Sequence, residues 1–75
     1  MNKRSQHVAP SNNGRWAVRR YGASRAGRVF ENRGEALTYA RNLARREGSE
    51  VYIHGRDGAI RRRDSYGLDP APAER

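Results

Sequence analysis

The chain has 75 residues, no cysteine and a formal net charge of +8. That length allows one domain, near the lower limit at which packing alone holds a core, and the lack of cysteine excludes a disulfide framework and a thiolate zinc site. No apolar run is long enough to span a bilayer, and the leading Met1-Asn2-Lys3-Arg4 is not followed by the apolar stretch of a signal peptide, so a soluble cytoplasmic protein is expected.

Residues 1–6 are polar and basic and are expected to form a flexible arm ahead of a single domain over 7–67. His7-Val8-Ala9-Pro10 has the length of a short edge strand, ended by a proline that cannot donate to a ladder. Ser11-Asn12-Asn13-Gly14 is a cluster of turn formers, with Asn-Gly the strongest hairpin signal among them. Arg15 to Tyr21 then alternates, with Trp16 and Val18 on the side that should be buried and Arg19 and Tyr21 on the other. Gly22 to Gly27 is a loop of small residues, and Arg28-Val29-Phe30 a third strand from which Val29 or Phe30 should reach the core.

Asn32 to Gly48 is the one segment with a sustained helical period. Ala36, Leu37, Ala40, Leu43 and Ala44 form a single apolar stripe. Asn32 is placed to cap the first turn, with Glu35 three residues on. Arg45 and Arg46 sit at the negative end of the dipole, and Gly48 can turn left-handed after them. A helix with so narrow a stripe needs a partner surface, which the strands must supply. Val51 to His54, the turn Gly55-Arg56-Asp57-Gly58 and Ala59 to Arg63 form a second hairpin, with Val51, Ile53 and Ile60 facing the helix and Tyr52, His54, Arg61 and Arg63 facing away. Tyr66 should fold back onto the domain, and Leu68 to Arg75 is a proline-containing tail expected to be disordered.

The expected architecture is α+β: a small antiparallel β-sheet in the order β-β-β-α-β-β, with the one helix across one face and the other face open. The core should comprise Trp16, Val18, Leu37, Ala40, Leu43, Val51, Ile53 and Ile60.

Several of these pieces, taken in order, resemble the bacterial family known as domain of unknown function 2188. The resemblance rests on Val8-Ala9-Pro10 with Gly14-Arg15-Trp16-Ala17-Val18, then Arg28-Val29-Phe30, Glu35-Ala36, and His54-Gly55-Arg56-Asp57-Gly58-Ala59-Ile60 with Asp64-Ser65-Tyr66-Gly67. It implies a compact α+β domain in bacteria or their phages, and it brings no activity and no catalytic residues.

The functional signal is charge combined with aromatic rings. Removing the tail from Gly67 onward, whose Asp69, Glu74 and Arg75 sum to −1, leaves +9 on the rest, and 15 of the 16 basic residues are arginine. Such a domain attracts polyanions, and arginine forks onto phosphates and stacks on bases. Arg19, Tyr21, Tyr52, His54, Arg61 and Arg63 share the open face and constitute a candidate nucleic-acid site, where rings would stack on bases and guanidinium groups would meet phosphates. DNA and RNA, single and double strands all fall within this expectation. The alternative is a protein-interaction module, forming a homodimer or binding an acidic protein through the same face or an edge strand. The charges on the helix, Arg33, Arg41, Arg45 and Arg46 against Glu31, Glu35 and Glu47, suit solubility and local pairing. His54 and Asp57 have no nucleophile or pocket-forming loop beside them, so the sequence points to no enzyme, no cofactor, no metal, no membrane partner and no small-molecule substrate.

Overall fold

A computed structural model describes residues 4–66. The chain runs β1 (Gln6–Pro10), a 3-10 turn (Asn12–Gly14), β2 (Trp16–Arg20), β3 (Arg28–Phe30), α1 (Arg33–Glu47), β4 (Glu50–His54) and β5 (Ile60–Ser65). One helix lies against one five-stranded sheet of order β3-β2-β1-β4-β5. The class is α+β and the order of elements is the expected one. The expected tail over 68–75 and the leading part of the expected arm, residues 1–3, lie outside the described residues.

The local chemistry of the turns and caps explains the element boundaries. Between β1 and β2, Asn13 (φ 59°) and Gly14 (φ 74°) take left-handed backbone, which asparagine and glycine tolerate best, and the Arg15 N–H closes onto the Asn12 carbonyl at 3.1 Å. At the start of α1 the Asn32 side-chain oxygen accepts the Glu35 backbone N–H at 2.8 Å. At its end Gly48 turns left-handed (φ 64°) and the Ser49 N–H reaches the Ala44 carbonyl at 2.9 Å, satisfying a carbonyl that the helix leaves free.

The sheet departs from the expected one at its centre. β1 is the middle strand, paired antiparallel with β2 and parallel with β4, so the sheet is mixed and not purely antiparallel. Pro10 is compatible with this position because pairing to β4 uses only Gln6, His7 and Val8, and the proline lies past the end of that ladder. β1 also begins earlier than expected: Gln6 belongs to the strand, and both Ser5 and Gln6 are buried.

The core follows from this register. Val18, Val8 and Ile53 face one another across β2, β1 and β4 and form an inward row beneath the helix, beside Val51. Ala36, Leu37, Ala40 and Ala44 close over them, and Trp16, Phe30, Tyr39 and Tyr66 pack at the margins. Val8, absent from the expected core, is fully buried. Trp16 and Leu43 are only half-buried. Ile60 is 48% exposed and belongs to the other face of the sheet. A bulge explains it: the β4–β5 pairing shifts between Ile53 and His54, so that Ile53 faces Arg62 while His54 faces Ile60, and Arg61 is the extra residue. The simple alternation that put Ile60 inward stops at that irregularity.

Candidate nucleic-acid interface

The open face is built by strand register. Arg19 pairs with His7, His7 with Tyr52, and Tyr52 with Arg63. These four side chains therefore form one row across β2, β1, β4 and β5 on the side away from the helix, because Arg19, His7 and Tyr52 are each one step out of phase with a buried neighbour and Arg63 pairs directly with Tyr52. Four of the six expected site residues thus lie together: Arg19, Tyr52 and Arg63 in the row and His54 beside it. Tyr21, just after β2, joins them through its ring, 6.0 Å from that of His7 and inclined by 30°. Arg61 sits at the bulge and reaches back to Asp57 at 2.8 Å, away from the row.

His7 is the residue that the sequence-based expectation left out, and it is the centre of the face. Its ring stacks on Tyr52 at 5.1 Å with an interplanar angle of 18°, and its Nδ1 lies 2.8 Å from His54 Nε2. The available signal was Val8: once that valine is placed inward, alternation places His7 and Ala9 outward.

The hydrogen-bond chain assigns the protons. His54 Nδ1 is 3.1 Å from the Gly58 carbonyl oxygen, which can only accept, so Nδ1 carries a proton, and in the neutral ring His54 Nε2 is then an acceptor. With that tautomer the His7 Nδ1–H donates to it over 2.8 Å; His7 Nε2 is buried and without a hydrogen-bond partner among the described residues. Burial lowers the pKa of His7 below its ordinary value, and the neighbouring His54 and Arg19 lower it further.

Acidic residues also stand on this face. Glu50 accepts from the Tyr52 hydroxyl at 2.8 Å and from Arg63 at 3.0 Å. The bond to Glu50, together with burial, raises the Tyr52 pKa above that of a free tyrosine and keeps the phenol neutral. Arg63 and Arg61 are therefore ion-paired, in bridges open to water at the guanidinium end, whereas Arg19 makes no ion pair among the described residues. On the helix side the arginines are engaged locally. Arg20 holds Glu47 through two bonds of 3.0 Å, Arg41 reaches Asp64 at 3.3 Å, and Arg33 and Arg45 lie over the rings of Trp16 and Tyr66.

Beside the row the face is hollow. Ala9 and Ala17 pair across β1 and β2 where longer side chains would stand, and they floor a depression of about 360 Å³ walled by His7, Arg19, Tyr21 and His54. Among the described residues no group of three or more His, Cys, Asp or Glu is placed to hold a metal, and no helix is long and apolar enough to cross a membrane.

A single helix on a mixed sheet with an open face of arginine and aromatic residues defines a small basic α+β module. The chain belongs to the family described as uncharacterized protein conserved in bacteria (DUF2188), whose model matches residues 6–66. It is also similar to the uncharacterized protein YdaT of Bacillus subtilis strain 168, 36% identical over 67 residues that make up 89% of this chain and 43% of that one. The chain thus spans less than half the length of this relative. No solved structure matches it.

Proposed function

We propose that this domain is a non-enzymatic nucleic-acid-binding module that uses the open face of its sheet. The observation that carries the reading is the row Arg19, His7, Tyr52, Arg63 with Tyr21 stacked at its side: rings flanked by cations on a surface that no element among the described residues covers, on a chain of net charge +8. Arg19 supplies an uncompensated charge for a phosphate, and the bridges of Arg61 and Arg63 are exposed enough for a phosphate to replace the carboxylate. The rings offer π faces that any base can meet.

Fluorescence-anisotropy titration against DNA and RNA at two salt concentrations tests it. Affinity should fall as salt rises, with a log–log slope of about 0.7–0.9 per phosphate neutralised, and Arg19→Ala combined with Arg63→Ala should flatten that slope by about two contacts. Absence of binding at low salt refutes the proposal.

A second reading draws on Tyr21, Val29 and Ile60, which are 47%, 45% and 48% exposed on this same side. They would suit a second copy of the chain or an acidic protein laid on the face. Docking by strand addition is less favourable, because β3 is only three residues long and β5 carries Arg61, Arg62 and Arg63 along the other edge. A solution mass equal to one chain at high concentration excludes the homodimer.

A further inference from the structure

We infer that the depression over Ala9 and Ala17 receives a single unpaired base, so that the ligand of this face is single-stranded nucleic acid and not a duplex. The inference rests on the proposed nucleic-acid reading of the face and makes it more specific.

Three observations lead to it. The depression is concave and about 360 Å³, room for one ring system and its sugar, whereas a duplex offers a convex surface with its rings already stacked on one another. Its floor is made of two alanine methyl groups paired across β1 and β2, so a flat ring can lie against the sheet without displacing a side chain. Its wall holds Tyr21, exposed and stacked on His7, and Arg19, without an ion pair among the described residues, a ring and a cation side by side as a nucleotide's base and phosphate are. The nitrogens of the two imidazoles do not compete for the ligand. Three of them are engaged with each other and with Gly58, and the fourth, His7 Nε2, is buried. The pocket therefore meets the face of a base and leaves its hydrogen-bonding edge unread by the histidines.

The test compares a short single-stranded oligonucleotide with its blunt-ended duplex, using the parent, Ala17→Leu and Tyr21→Ala. Ala17→Leu fills the floor without altering charge, and Tyr21→Ala removes a wall without adding bulk. The parent should prefer the single strand by ten-fold or more, and each variant should lose about ten-fold in single-strand affinity, the scale of one lost base stack, while duplex affinity stays unchanged. A thermal melt of each variant followed by Trp16 fluorescence verifies that it is folded, and Tyr21→Ala suffices if Ala17→Leu is not. A parent that binds duplex as tightly as single strand, or folded variants that keep full single-strand affinity, overturn the inference while leaving nucleic-acid binding intact. Failure of the parent to bind either ligand overturns the broader proposal together with it.

Discussion

Val8→Ala is the perturbation that probes the fold most directly. Val8 is 0% exposed, stands in the middle strand and is flanked in register by Val18 and Ile53. Losing two carbons from a fully buried site forfeits about 1.6 kcal/mol of transfer free energy at ~0.8 kcal/mol per methylene. The cavity adds up to about 1 kcal/mol more, since the ladders on both sides keep the neighbouring strands from closing in. A total of about 2–3 kcal/mol is a large part of the stability of a domain of this size, at roughly 0.05–0.15 kcal/mol per residue. It corresponds to a fall in melting temperature of roughly 10–20 °C, taking about 4–8 °C per kcal/mol for a small domain. Urea titration followed by Trp16 fluorescence measures it, with Val29→Ala as the control, because Val29 is 45% exposed on an edge strand and its truncation should change stability by less than ~0.5 kcal/mol. Equal midpoints for Val8→Ala and Val29→Ala would refute β1 as the centre of the sheet.

Two further outcomes follow from the cap and from the face. Asn32→Ala removes the acceptor for the Glu35 N–H and should cost about 0.5–2 kcal/mol in the same titration, whereas Asn32→Asp should restore most of the loss. The folded-state pKa of His7 lies below its unfolded value, so the unfolded chain binds more protons between the two. Stability should therefore be intact above about pH 6.5, decline as pH falls from there through the folded pKa, and decline less in His7→Phe, which keeps a ring on Tyr52 without a titrating nitrogen. Unfolding free energies measured between pH 7.5 and 5 read this directly, and identical pH slopes for the two proteins would contradict it.

The parts of the structure legible in the sequence are those decided within a few residues. The limits of α1 follow from Asn32 and Gly48, and the first hairpin from Asn13-Gly14, because caps and turns depend on local backbone chemistry. The outward set Arg19, Tyr52, His54 and Arg63 came from alternation, which holds wherever a strand is regular. Position within the sheet is a different matter. His7 to Pro10 is short and ends in proline, features of an edge, yet it becomes central because β4 returns parallel to it after the helix. That same return makes His7 the centre of the face, a role that exists only once residues from three strands are side by side. Ile60 was misplaced by a bulge whose extra residue leaves no mark in the apolar pattern.

The central position of β1 also sets an order of assembly. Gln6 pairs with Val51, 45 positions later, whereas the meander of β1 to β3, the helix and the β4–β5 hairpin are each closed over short loops. On a ribosome β1 would gain β2 as a neighbour early and wait until β4 has followed the helix before gaining the other. Its closure should therefore be the step that turns separate local pieces into one cooperative unit, limited by the entropy of a long loop. Cutting into β1 would remove the keystone of the sheet, whereas losing an edge strand such as β3 would have far less consequence.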